Sequence, residues 1–261
     1  MTWAAFTSEW TKLKRKTLLL STFLGLAAAA SAFVILLFTQ APATGNGGGL
    51  PSLQQLARPD GLIVGVTRAT TLLGIVAFGI AASQMASEYS LGTLRQLLVR
   101  QPRRIVLLAG KMLAVITFLL LALVFAALVA FAVAVAAAHA RHVPTAAWFT
   151  GTGFGDLFRA LGEIALAVVG FTILGLAIGQ FMRSAVFAVI AGFAWIIAVE
   201  NIITRIVPGT AKWLPGAALD TVASGGAEGP SFAHGLAVAA VYLIAAVAAM
   251  AVTFARRDVT A

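Results

Sequence analysis

The sequence contains no cysteine and few charged residues. Without a thiol, disulfides, lipidated cysteines and thiolate metal sites are excluded. Charged residues make up 10% of the 261 residues and hydrophobic residues 61%, above the roughly 45–50% typical of a globular chain. The sequence also lacks a G-x-x-x-x-G-K-[ST] motif, which a P-loop needs to hold nucleotide phosphates. These absences argue against a soluble domain and a P-loop enzyme and favour a membrane protein.

The apolar residues are concentrated in long blocks. A bilayer-spanning helix needs about 20 mostly apolar residues, and no alternating barrel pattern is seen. The first block is longer than the roughly 7–15 apolar residues of a signal peptide, so we expect it to be a true span. We therefore predict an all-α membrane protein, one transmembrane domain over 1–261, with six transmembrane helices per protomer. The predicted spans are 17–39, 67–87, 105–138, 158–182, 184–203 and 233–255.

The basic residues predict the orientation of these spans. Lys and Arg are retained on the cytoplasmic side of a membrane in short loops. With the N-terminus inside, twelve of the 18 basic residues fall on that side. Both termini are therefore predicted to be cytoplasmic. The net charge of +9 is explained by this topology and by attraction to anionic lipid, and it does not indicate nucleic acid.

Residues 1–16 are predicted to form an interfacial helix on the inner leaflet of the lipid bilayer. Trp3, Phe6 and Trp10 follow helical spacing and share one face, whereas Glu9 and Lys12 lie on another. Aromatic residues beside basic ones are typical of a helix at headgroup depth. The alternative is an ordinary basic flank with chance periodicity.

Residues 88–104 lie between the second and third spans. Their pattern predicts a short amphipathic cytoplasmic helix. Gly92-Thr93 can begin the helix, Leu94 and Leu98 belong to its apolar face, and Arg95 belongs to its basic face. Pro102 ends it. A helix held between two spans can act as a lever, because a partner that grips it moves both spans.

Ionisable residues near the predicted outer boundary are candidates for an outer gate. Asp156, Arg159 and Glu163 have helical spacing and can pair, and Glu200 has Arg205 as an expected partner. Such residues at membrane depth are functional hypotheses by default. A structural ion-pair cluster is the favoured interpretation for both groups.

Residues 204–232, before the last span, contain Pro, Gly-Gly and the apolar Trp213-Leu214-Pro215. We expect an outer re-entrant segment of short helices that dip into the outer leaflet, in preference to a solvated loop. His139 and His142 lack the partners of a metal site, and no catalytic constellation is found. No metal site and no catalytic residue are predicted.

With these features the sequence resembles the permease subunits of ABC-2 type exporters. The resemblance extends to EWTKLKRK at 9–16, LGLAIGQFMRS at 174–184 and KWLPGAAL at 212–219. In the first cytoplasmic loop, the positions that match the family pattern are Glu88, Gly92, Thr93, Leu94, Arg95, Leu98, Pro102, Arg103, Arg104 and Lys111.

The resemblance implies that residues 88–104 form a coupling helix. The ATPase-coupling residues that it implies are Glu88, Gly92, Thr93, Leu94, Arg95, Leu98, Arg103, Arg104 and Lys111. It implies two copies of a separate ATP-binding subunit that carries ATP and Mg, with no cofactor on this chain. It also implies a second permease, either a copy of this chain or a paralogue, in a prokaryotic inner membrane. The expected activity is export of an amphipathic, drug-like or lipid-like substrate, as in multidrug efflux, by a transport subunit that is not itself an enzyme. The alternatives are a secondary transporter or channel, or a non-transporting membrane assembly factor.

Overall fold

A computed structural model describes residues 2–44, 50–61, 63–64, 66–67, 73–90, 103–182, 184–227 and 229–256. Within these ranges the regular secondary structure is helical and no β-strand occurs. The predicted all-α class is therefore confirmed. The helices are α1 (Thr2–Leu13), α2 (Lys16–Gln40), α3 (Leu53–Leu56), α4 (Leu73–Ser90), α5 (Arg104–Ala140), α6 (Gly151–Met182), α7 (Ala185–Phe193), α8 (Glu200–Ile206), α9 (Pro215–Ala223) and α10 (Phe232–Arg256).

Two 3-10 helices and one π-helix complete the described secondary structure. The 3-10 helices are Ala146–Phe149 and Ala211–Trp213. The π-helix, Ala194–Val199, joins α7 to α8. The predicted fifth span thus contains a local change of helical register that the sequence did not indicate.

Among the described residues, five helices are long and apolar enough to cross a membrane. They are Lys16–Gln40, Arg104–Ala140, Gly151–Met182, Ala185–Ile206 and Phe232–Ala255. This confirms a multi-pass helical membrane protein at the coarser level. The second predicted span, 67–87, overlaps α4, which is not among the five, so a sixth crossing remains a prediction.

The chain forms two compact units, and the first consists of residues 1–15, 74–120 and 166–261. Its core includes Phe78, Phe171 and Leu219. Helix α6 packs very closely on α4 at Gly175 and Gly179, where an added Cβ would overlap backbone carbonyl oxygens of α4. This small-residue pair therefore serves packing inside the protomer.

The second unit consists of residues 16–73 and 121–165. Its core is rich in alanine from α5, which allows the helices to approach closely. Trp148 is fully buried there, and its indole Nε1 donates a hydrogen bond to the carbonyl oxygen of Leu56 at 2.8 Å. Because a buried indole N–H needs an acceptor, this bond fixes the short helix α3 in the unit.

Candidate functional site

Helix α1 packs against the first turns of α5 in the first unit. Ala5 and Leu13 are buried. Ala5 lies against Gly110, where an added Cβ would come within 2.5 Å of the Ala5 Cβ. The Trp10 ring meets the Phe118 ring edge-on, with centroids 6.5 Å apart. One face of α1 is therefore a protein contact.

Four charged side chains form a network in this contact, which we call the charge network: Glu9, Lys12, Glu88 and Lys111. Both ammonium groups lie 2.6 Å from Glu9, with Lys12 on Oε1 and Lys111 on Oε2. Both also lie 2.8 Å from Glu88 Oε1. Two carboxylates and two ammonium groups thus alternate, and their formal charges cancel.

The charge network is largely removed from solvent. The side chains of Glu9 and Lys111 are 3% and 4% exposed, and that of Glu88 is 9% exposed. Lys12 is 30% exposed and forms the outer edge. Burial of unpaired charges is costly, so each group is stabilised by an opposite charge at hydrogen-bonding distance.

The charge network shifts the pKa values of its two members on α1, Glu9 and Lys12. Burial alone would raise the pKa of Glu9, but the ammonium groups of Lys111 and Lys12 hold that pKa below its ordinary value of 4.5. Burial alone would lower the pKa of Lys12, but the carboxylates of Glu88 and Glu9 hold it above its ordinary value of 10.5. Both residues are therefore charged over the whole neutral range.

The charge network joins three segments that are far apart in sequence. The hydrogen bond from Lys12 to Glu88 spans 76 residues, and the bond from Lys111 to Glu9 spans 102. Glu9 and Lys12 belong to α1, Glu88 to the last turn of α4, and Lys111 to α5. Predicted interfacial and coupling residues are thus brought together in one cluster.

The first residue of α5 is also fixed. Arg104 Nη1 donates hydrogen bonds to the carbonyl oxygens of Phe254 and Ala255, at 3.4 and 3.3 Å. These carbonyls belong to the last turn of α10, where they lack partners within the helix and where a cation is favourable. Arg103, one residue earlier, is exposed.

The part of the predicted coupling helix between these anchors is not among the described residues. Gly92, Thr93, Leu94, Arg95 and Leu98 lie outside the described ranges. Glu88, Arg103, Arg104 and Lys111 lie inside them.

The aromatic residues of α1 form a continuous stripe. The rings of Trp3 and Phe6 stack with centroids 5.3 Å apart, and those of Phe6 and Trp10 with centroids 5.7 Å apart. Trp3 is 73% exposed. Glu9 and Lys12 thus face protein, whereas the stripe follows an adjacent side of the helix, from exposed Trp3 to Trp10, which contacts Phe118 of α5.

The predicted outer charge cluster belongs to α6. Arg159 Nε lies 3.0 Å from Glu163 Oε1, and the arginine side chain is 73% exposed. Asp156 is exposed, and no ion pair to it occurs within the described ranges. An exposed i to i+4 pair of this kind contributes little to stability.

Glu200 is buried, and three hydrogen bonds satisfy it in place of the expected ion pair with Arg205. Its Oε1 accepts from Gly216 N at 2.9 Å and from Trp195 Nε1 at 3.1 Å, and its Oε2 accepts from Ala217 N at 3.0 Å. The carboxylate thereby caps the N-terminus of α9, where backbone N–H groups have no partner within the helix. Glu200 connects the fifth predicted span to the outer segment.

Sequence analysis did not identify two side chains that form buried hydrogen bonds, Trp195 and Gln180. Trp195 and Glu200 are five residues apart, a spacing that shares a face in a π-helix and not in an ordinary α-helix. Gln180 of α6 is buried, and its Nε2 donates to Met250 O and Thr253 Oγ1 of α10 at 3.0 and 2.6 Å. Only its polarity in an apolar block could have drawn attention to Gln180.

The long apolar helices define the chain as a multi-pass α-helical membrane protein. Residues 59–260 match the family described as "Protein of unknown function (DUF2705)". The chain belongs to this family. A comparison with curated proteins gives no match. The matched range contains Glu88, Lys111 and Glu200, whereas α1, with Glu9 and Lys12, precedes it.

Proposed function

We propose that this chain is the permease subunit of an ATP-driven exporter of the ABC-2 type. Two permeases would form the path for an amphipathic, drug-like or lipid-like substrate, and two copies of a separate ATP-binding subunit would hydrolyse ATP. The proposal places the protein in a prokaryotic inner membrane with both termini in the cytoplasm. It rests on the resemblance of the first cytoplasmic loop and on the anchoring of that loop.

The observation that carries the proposal is that both flanks of residues 91–102 are fixed to other helices. On one flank, Glu88 at the end of α4 binds Lys12 of α1 and Lys111 of α5. On the other flank, Arg104 at the start of α5 binds the last turn of α10. A subunit that displaced the segment between these flanks would therefore move the ends of four helices together.

Buried ion pairs suit this role because they resist being separated. Removal of one partner of a buried pair costs about 3–5 kcal/mol, since the other charge is left without compensation. A displacement applied to the segment is thus transmitted to α1, α4 and α5 before the network opens. Such a displacement could change the relative stability of two permease conformations, as any partner with different affinity for the two states does.

The proposal is tested by co-expression with the ATP-binding protein expected in a neighbouring reading frame. We expect the two proteins to purify together and to show ATP-dependent transport of an amphipathic dye in vesicles. Arg103→Glu should preserve insertion and ATP hydrolysis but reduce transport about tenfold, a loss of ~1.4 kcal/mol of coupling.

The matched control is Arg141→Glu, the same charge reversal at an exposed arginine that directly follows α5 and lies outside the candidate gate. It should leave transport unchanged. Wild-type protein that transports without any ATP-binding subunit would indicate a channel or secondary transporter. Wild-type protein that neither binds the subunit nor transports would indicate an assembly factor.

A further inference from the structure

The π-helix between α7 and α8 contains a hydrogen bond that depends on its register. Trp195 Nε1 donates to Glu200 Oε1 at 3.1 Å, across five residues. In an ordinary α-helix, residues five apart point about 140° away from each other, so this bond could not form. The π-helix and the bond between Trp195 and Glu200 are therefore present together or absent together.

On its α7 side, the π-helix is held by contact with α4. Gly192 lies against the Phe78 ring, where an added Cβ would come 2.0 Å from the ring atoms. The Phe193 ring packs on the same Phe78 ring, with centroids 6.3 Å apart. Because the Phe78 ring occupies the space that a side chain at position 192 would need, rotation of α7 on α4 is blocked.

On its α8 side, the π-helix is held through Glu200. The carboxylate accepts the backbone N–H groups of Gly216 and Ala217 at the start of α9. Helix α9 is itself packed in the core of the first unit, where Leu219 lies against Gly170 of α6. Rotation of α8 would therefore withdraw Glu200 from α9.

A single π-turn accommodates one extra residue while the helices on either side keep their relative phase, and such turns are frequent at functional sites. If the same residues became ordinary α-helix, the extra residue would add a rotation of about 100° between α7 and α8. Since α7 is held on α4, the rotation would fall on α8.

We propose that the π-helix is a two-state hinge for the outer segment that contains α9. In the closed state Trp195 and Glu200 are bonded and Glu200 caps α9. In the open state residues 194–199 are α-helical, α8 has turned, and α9 has lost its cap. The use of this hinge in a transport cycle rests on the proposed function, but the hinge itself needs no ATP-binding subunit.

The absence of native cysteine allows the rotation to be measured in the full chain. Phe187→Cys on α7 and Ile206→Cys on α8 provide two spin-label sites, at residues that are 68% and 72% exposed. With the π-turn the two labels lie on the same side of the helix, and without it they lie about 100° apart. The label-to-label distance in the protein reconstituted alone, measured by pulsed electron paramagnetic resonance, is therefore longer in the open state.

We expect the shorter distance in the otherwise unchanged chain and the longer distance as the main population in Glu200→Ala, which frees α8 from α9. Trp195→Phe is a milder variant that removes only one donor, and it should raise the fraction with the longer distance about fivefold. Arg205→Ala, at an exposed charged residue of α8, is the control and should leave the distance unchanged.

Deletion of Ala198 separates a hinge from a merely structural π-helix. It removes the extra residue, so the segment becomes α-helical while α7 and α8 keep their contacts. Trp195 and Glu200 are then four residues apart, a spacing that shares a face in an α-helix. We expect the shorter distance in the deletion variant, and also when the deletion is combined with Glu200→Ala or Trp195→Phe.

A longer distance that persists after deletion of Ala198 would overturn the proposal, because α8 would then move without the extra residue. So would an unchanged shorter distance in both Glu200→Ala and Trp195→Phe, because the π register would then not depend on their bond. Neither result depends on transport. Failure of the hinge is thus distinguishable from failure of the proposed function, which is judged by co-purification and ATP-dependent transport.

Discussion

Replacement of Lys111 by methionine tests whether the charge network holds α1, α4 and α5 together. Methionine preserves most of the aliphatic volume and removes the ammonium group. That group lies 2.6 Å from Glu9 and 2.8 Å from Glu88. At an effective dielectric constant of 20, each contact corresponds to about 6 kcal/mol of Coulomb attraction, much of which is offset by desolvation.

After the replacement, two buried carboxylates share the single ammonium of Lys12. We expect Lys111→Met to lower the free energy of unfolding by about 3–5 kcal/mol, the cost of an uncompensated buried charge. The assay is denaturant unfolding in detergent micelles, followed by tryptophan fluorescence. Arg159→Met is the control, because its exposed ion pair should be worth less than about 1 kcal/mol.

A second variant makes the result specific to charge. Glu9→Gln together with Lys111→Met leaves one ammonium, Lys12, and one carboxylate, Glu88, so the buried charge is again balanced. The double variant should be more stable than the sum of the single effects predicts, by about 1–3 kcal/mol. Strict additivity of the two changes would refute the reasoning, because it would mean that the two groups do not interact.

The remaining predictions concern pH and the outer segment. Because the pKa of Glu9 lies below 4.5 and that of Lys12 above 10.5, the stability contributed by these two groups should be constant at neutral pH. The stability contributed by Glu9 should be lost as pH falls below 4.5, and that contributed by Lys12 should be lost as pH rises above 10.5. Both losses are measured by comparing the unfolding of wild type and Glu9→Gln across this pH range. Glu200→Ala should cost about 2–3 kcal/mol in unfolding, because buried donors lose their acceptor. Gly216→Ala should cost about 1–3 kcal/mol, because the new Cβ would lie 2.7 Å from the Glu200 carboxylate, whereas Gly162→Ala, with open space around it, should not destabilise.

Apolar block length was sufficient to predict the helical class and most of the helices. The blocks at 17–39, 105–138 and 233–255 correspond closely to α2, α5 and α10. The helices could be predicted because bilayer thickness sets the length of a span, so each span appears in the sequence as one continuous apolar block. The prediction from the block at 158–182 was less accurate at its start. Helix α6 begins at Gly151, and Gly and polar residues there obscure the start of the helix in the sequence.

The contacts of the candidate site could not be predicted in the same way. Glu9 and Lys12 were recognised as one polar face, but no local pattern connects them to residues 76 and 102 positions away. This polar face is buried because α1 packs on α5, and such tertiary packing leaves no periodic pattern in the sequence. Glu200 was recognised as unusual, yet its donors are a π-helical neighbour and two backbone N–H groups. Backbone donors carry no side-chain signature in a sequence.

The most direct measurement of the central claim is a site-specific cross-link from residue 95, in the middle of the proposed coupling helix. Because the chain has no cysteine, Arg95→Cys creates a single attachment point for a photo-crosslinker. In membranes that contain the co-expressed ATP-binding protein, we predict a cross-link to that protein, and none from a matched cysteine at Arg159 of α6. A cross-link from position 159 with none from position 95, or labelling of position 95 from outside intact cells, would contradict the account.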